Sequence, residues 1–342
     1  MIDLAARHAR KRSAALRARA TAAGLALGLA GLTCHAAAPI FVLNSLDADV
    51  SLIDATTYVE QRRVATGKEP HHLYLTPDEK SLIVANATAD TLTFFDPATG
   101  AMQRTVQGIV DPYQLRFSPD MKWFVTAANR LDHVDIYRWQ GAAAAQPFAL
   151  VKRIEAPRTP SHLNIDTRST VVYVSLQGSD ELLAIELATQ RPRWKIKVGK
   201  MPADVFLSAD DRTLLVGLTG DRFVEAYDVS GAQPRLLKRI ATGEGAHSFR
   251  ALGDARHVFV SNRVANTISL IDTRTLTVVS ELPGPGGPDD MEVLADRRTL
   301  LVSSRWARKL SVIDIASKRV LRQVNVGRSP HGVWTLNHAP RL

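Results

Sequence analysis

Between Ile40 and Asn337 the chain repeats one phrase seven times, and that repetition limits its fold more than any other feature. Aligned on the residue that ends the second short strand, the copies mark Asp54, Asp96, Arg138, Glu186, Asp228, Asp272 and Asp314, at intervals of 42, 42, 48, 42, 44 and 42 residues. A period in the forties is the length of a propeller blade. Each copy opens on an apolar strand ending in a small or polar residue, as in FVLN (41–44), IVAN (83–86), YVSL (173–176) and FVSN (259–262). A second alternating strand follows, for example VSLID (50–54) or TISLID (267–272), and a third runs into a glycine such as Gly67, Gly199, Gly243 or Gly327. The fourth follows a proline and closes in a polar turn, as from Pro70 to Lys80. Alternation, β-branched residues and turn punctuation together specify strand. The expected fold is therefore all-β, a seven-bladed β-propeller of four-stranded blades over residues 39–342. The last copy, PHGVWTL (330–336), is predicted to supply the inner strand missing from the blade begun at Ile40. That pairing closes the ring and leaves no open edge.

Residues 1–38 are of another kind. Arg7, Arg10, Lys11, Arg12, Arg17 and Arg19 stand against one acid, Asp3, and an Ala/Leu/Gly stretch (20–32) and the small run Ala36 to Ala38 follow. Basic, apolar and then small is the order of a secretory signal, and the apolar stretch is too short for a membrane span. The mature protein is thus expected in the periplasm or secreted, as a monomer with no transmembrane segment. The single cysteine, Cys34, would leave with the signal, since threonine before it makes a poor lipidation site. Loss of 1–38 removes six basic residues and one acid, so the net charge falls from +9 to +4. Nucleic-acid binding is disfavoured on that balance and would need a localised patch, for which Arg263, Arg305 and Trp306 are the candidates.

Function is sought where the copies differ. The two residues after each inner-strand proline, or after Ala246, are predicted to line the mouth of the central channel. They are His71-His72, Tyr113-Gln114, Ser161-His162, Ala203-Asp204, His247-Ser248, Asp289-Asp290 and His331-Gly332. Five of the ten histidines fall in this one ring. The candidate ligand-binding residues are His71, His72, Tyr113, His162, Asp204, His247, Asp289, Asp290 and His331. Arg263 and Arg305 join them from turns on the same face. Imidazole with carboxylate suits a transition metal, for which His72, His162, Asp204 and Asp290 are the candidates, or proton transfer near neutrality. Solvation of a wet channel mouth needs no ligand at all. Guanidinium groups beside it suit a carboxylate or phosphate. A second basic set, Lys80, Lys122, Arg168, Arg212, Arg256 and Arg298, follows Pro-Asp-type turns and reads as structural.

FVLN, VSLID and VATGKEPHHLYLTPDEK (64–80), with IVAN, YVSL, FVSN and PHGVWTL, resemble the YVTN-repeat β-propellers. These are exported bacterial proteins, the YncE-like ones among them, and archaeal surface-layer proteins. The resemblance spans about 300 residues and implies the fold. For function it implies a non-enzymatic binding or scaffolding module, taking a small anionic ligand or a protein partner at the channel-mouth face. Relatives of the family also imply two other readings, a lactonase-like hydrolase and a haem-d-type cofactor propeller, so the cofactor and any catalysis stay open. Pro-His-Gly at 330–332 is typical of the repeat, which leaves His72 and His162 as the more distinctive histidines. The chain has no Cys-x-x-Cys-His, G-x-x-x-x-G-K, G-x-S-x-G or H-E-x-x-H motif.

Overall fold

The computed structural model describes residues 37–341. Of the segment 1–38 expected to be a secretory signal, residues 1–36, with Cys34, lie outside the described residues. Twenty-eight strands form seven four-stranded antiparallel sheets, as the repeat predicts. We number the blades by their inner strands: Pro70–Leu75, Gln114–Phe117, Pro160–Ile165, Pro202–Leu207, Ala246–Ala251, Pro288–Val293 and Pro330–Thr335 for blades 1 to 7. Blade 7 joins the two ends of the propeller. Its inner strand pairs with Ile40–Asn44, setting Ile40 opposite Thr335 and Phe41 opposite Trp334. Among the described residues no helix is long and apolar enough to cross a membrane.

Each blade is apolar on both faces, so burial comes from stacking blade on blade. Seven apolar clusters result, one between each pair of neighbours. Between blades 2 and 3, Val125, Val134 and Ile136 meet Leu163, Val172, Val174 and Ile185. Full burial of each such side chain is worth about 1.5–3 kcal/mol.

The repeated polar residues hold the turns. Asp78, Asp120, Asp210, Asp254 and Asp296 each accept from the amide two residues on, at 2.8–3.3 Å. The intervening residue takes a left-handed conformation, with φ from +53° to +61° at Glu79, Met121, Asp211, Ala255 and Arg297. The basic residue whose amide is bonded therefore follows from turn geometry. Gly327 is fixed by crowding: a Cβ there would lie 2.5 Å from Cγ of Asn44. Asn44 in turn accepts from the Gly327 amide (2.9 Å) and donates to Ser51 Oγ (2.8 Å).

A β-bulge at the start of the inner strand builds the channel. In six blades the strand uses three residues where its partner uses two, as from Pro160 to Leu163 opposite Leu176 to Val174. The extra residue breaks the alternation. Both residues after the proline consequently face the axis, while the third enters an interblade cluster, as Leu163, Val205 and Met291 do. A serine on the neighbouring strand supports the bulge. Oγ of Ser175, Ser261 and Ser303 accepts from the amides of His162 (3.0 Å), Ser248 (3.1 Å) and Asp290 (2.9 Å).

Candidate functional site

Along the axis the side chains form three tiers. The first, from the residues directly after the prolines, contains His71, Tyr113, His247, Asp289 and His331. Here Tyr113, His71 and His331 stack, with ring centroids 3.9 and 3.7 Å apart. Asp289 is 0 % exposed and anchors the tier. Arg305 Nη1 donates to its Oδ2 at 3.0 Å, Arg263 pairs with its Oδ1, and His247 Nδ1 lies 3.0 Å from Oδ1. Arg263 also donates to His247 Nε2 (2.8 Å), which assigns the His247 proton to Nδ1, facing the carboxylate. Burial alone would raise the Asp289 pKa. Arg263, His331 and His247 outweigh it and hold the carboxyl well below the ordinary range. The two arginines read as channel-mouth cations are thus spent on an internal carboxylate.

His72, Gln114, His162, Asp204, Ser248 and Asp290 form the second tier, which lines an inner pocket of about 50 Å³. The structure therefore brings together His72, His162, Asp204 and Asp290, the four residues whose types depart most from the repeat. The rings of His72 and His162 lie 4.9 Å apart. Burial pushes His162 down to about 3 and His72 well below the usual imidazole value, so both are neutral at pH 7. Burial acts oppositely on the acids, raising Asp204 and carrying Asp290 up to about 7 despite the Met291 amide that bonds it. Asp204 accepts from the amides of Val205 (2.9 Å) and Phe249 (2.8 Å), and Asp290 from Ser248 Oγ at 3.0 Å.

Sequence reasoning missed the third tier. At the opposite end from the first, where the inner strands finish, the inner pocket adjoins a cavity of about 440 Å³. The two share Tyr74, Arg116, Phe249, Arg250 and Arg341. Tyr74, Phe117, Phe206 and Phe249 supply apolar wall, and His338 and Arg341 line it from the C-terminal segment. Arg250 is buried and committed, donating to Glu292 (2.5 Å) and to the carbonyls of Ala251, Ala339 and Pro340. Arg116 is different. Its Nε donates to Leu163 O (3.2 Å) and its guanidinium lies 5.5 Å from the Tyr74 ring centre, but no described carboxylate pairs with it. The available signal was positional: Tyr74, Arg116, Phe206 and Arg250 all stand fourth after the proline or its equivalent.

The remaining candidate, Trp306, is exposed above Gly287. Among the described residues two sets of side chains meet closely enough to hold a metal ion, His71 with His72 and His331, and His247 with Asp289 and His331, each with one ligand atom per residue within 4.8 Å of the others.

Solved structures share this architecture. The Pseudomonas aeruginosa periplasmic gluconolactonase PpgL superposes with a TM-score of 0.73 at 20% identity, over 89% of this chain and 99% of that one. A putative 6-phosphogluconolactonase from Bacteroides uniformis gives 0.68 at 13%, over 87% and 99%. The dihydro-heme d1 dehydrogenase NirN gives 0.66 at 16%, over 87% and 75%. These likenesses show the fold alone. No curated protein sequence matches the chain significantly. The sequence model of the YNCE-like beta-propellers does match, over residues 10–341, and the chain belongs to that family.

Proposed function

We propose that the protein is an exported binding propeller, which takes a small anionic molecule with a flat apolar body into the axial cavity without transforming it. One observation carries this reading: a 440 Å³ chamber with aromatic walls holds an arginine, Arg116, that no described carboxylate neutralises. Its volume lies within the range of small-molecule pockets, about 300–1,000 Å³. A guanidinium over an apolar floor recognises a carboxylate while the rings take up the body of the ligand. Export rests on the basic, apolar and small order of residues 1–38 and is checked by N-terminal sequencing of protein recovered outside the cytoplasm.

Calorimetry with benzoate, 4-hydroxybenzoate and indole-3-acetate, against neutral benzamide, tests the binding. The carboxylates should bind and benzamide should not. Arg116→Gln should weaken binding about 10–100-fold, as loss of a charged hydrogen bond does. Equal binding of benzamide, or no effect of the substitution, would sink the reading.

A second reading is hydrolysis of a lactone, favoured by Asp290. Its carboxyl, held near pH 7 in a pocket with two neutral imidazoles, has the proton affinity of a general base. Asp290 would take a proton from water as the oxygen adds to the lactone carbonyl, then return it to the ring oxygen as the C–O bond breaks, giving a hydroxy acid. The two lactonase-named structures add weight to this reading at the level of fold. Glucono-δ-lactone opening followed by pH-stat should show kcat rising through about pH 7 and lost in Asp290→Asn. An enzyme-independent rate overturns it.

A further inference from the structure

We propose that His71, His72 and His331 form a binding site for one zinc or copper ion. This goes beyond the anionic-ligand reading and does not depend on it. The three residues come from two inner strands, blade 1 giving His71 and His72 and blade 7 giving His331, so the site forms only when the ring has closed. One ring nitrogen of each lies within 4.8 Å of the other two, and because the His71 and His331 rings stack, one of them must turn to aim its lone pair at a shared ion.

The proton positions fit a ligand set. His331 Nδ1 donates to the backbone carbonyl of His71 at 2.9 Å, which leaves the lone pair on Nε2. A ring N–H fixed by a backbone carbonyl is the usual outer support of a metal-bound imidazole. His331 Nε2, His71 Nδ1 and His72 Nε2 are all buried without a hydrogen-bond partner. An unsatisfied buried polar atom costs about 1–3 kcal/mol, so three such nitrogens on adjoining rings have need of a partner. Burial keeps the imidazoles in the neutral, ligating form. Three imidazole nitrogens with a further position open suit zinc or copper and not the oxygen-seeking ions.

The second set, His247 with Asp289 and His331, is less able to take an ion. His247 Nε2 already accepts from Arg263, and both Asp289 oxygens are held by arginines. Asp289 instead supplies negative charge beside the proposed site, 3.7 Å from His331 Nε2. His72 also lines the inner pocket.

The test uses the purified full chain, stripped with EDTA, desalted and loaded with Zn²⁺, or with Cu⁺ under ascorbate. Elemental analysis after gel filtration should give one ion per chain. Competition with a chromophoric chelator should show His71→Gln, His72→Gln and His331→Gln each weakening binding by more than about 100-fold, the upper end of what loss of an outer support alone produces. His257→Gln, at an exposed turn on Asp254, should bind as the parent does. No retained metal overturns the proposal. So does equal affinity in all variants, or loss in His247→Gln with His71→Gln unaffected. Should a variant fail to fold, X-ray absorption on the loaded parent decides, because fewer than three imidazole nitrogens around the ion contradicts the site.

Discussion

Arg305 donates from Nη1 to Oδ2 of Asp289 at 3.0 Å, inside a tier where the carboxylate is fully buried. Arg263 and His247 reach the same carboxylate from blade 5, so Asp289 fastens two blades at the axis. Asp289→Asn leaves two arginines without their counter-charge. Breaking a buried pair in this way costs about 3–5 kcal/mol. Urea denaturation at pH 7 should show a loss of that order, and a loss under about 1 kcal/mol, the value of an exposed pair, would contradict the fastening. Because the folded carboxyl lies below its unfolded value, its contribution is complete above the unfolded pKa of about 3.9. It disappears only as pH falls from there through the folded pKa.

Acid stability carries a second signature. Burial lowers His162 to about 3 and His247, with Arg263 beside it, to about 4. Between those values and the unfolded imidazole value near 6.5, the unfolded chain binds more protons and stability falls as pH falls. Asp290, raised to about 7, has the opposite sign: the folded state holds the extra proton between about 4 and 7. Asp290→Asn removes the opposing slope. The variant should be relatively more stable than the parent at pH 8 and lose that advantage steadily towards pH 5, as read by denaturation midpoints; parallel profiles would refute the assignment.

Ser175 supports the bulge that turns both Ser161 and His162 to the axis. Its hydroxyl accepts from the His162 amide and donates to the Ala203 carbonyl of the next blade. Ser175→Ala orphans both groups without adding volume, for an expected loss of about 1–3 kcal/mol. The His162 ring protons should move in the NMR spectrum while those of His257 stay fixed. A variant as stable as the parent would show that the bulge supports itself.

Two glycines separate crowding from flexibility. A methyl group at Gly327 would strike Asn44, whereas at Gly231 the nearest atom lies 3.6 Å away. Gly327→Ala should cost about 1–3 kcal/mol, the range of overpacking, and Gly231→Ala should be near neutral in thermal unfolding. Equal effects would mean that the seam yields to the added carbon.

The strands were legible because every blade repeats the alternation and punctuation that strands require, and seven concordant copies average out local ambiguity. The Asp78-type turns and Gly327 were legible for the same reason, since each answers a backbone demand. His72, His162, Asp204 and Asp290 stood out because polar residues occupy a position where neighbours along the strand are apolar. Arg116 and Tyr74 did not. An arginine or aromatic residue near a strand end is ordinary surface chemistry until the axis of the ring is known. The commitment of Arg263 and Arg305 to Asp289 was also hidden, because the three are joined across space and by no sequence spacing. Which of two adjacent residues faces inward turned on a bulge, and its supporting serines read only as strand ends.

The pairing of Ile40 with Thr335 has a temporal meaning. Synthesis makes residues 40–65 long before Pro330–Thr335, so their inner edge waits for that late segment. A product that stops early carries a bare strand edge matched to one particular segment, and the nearest source of that segment is another molecule. Concealment of that edge thus comes only with the segment that pairs with it, which makes the seam the place where a shortened product stays open to other molecules.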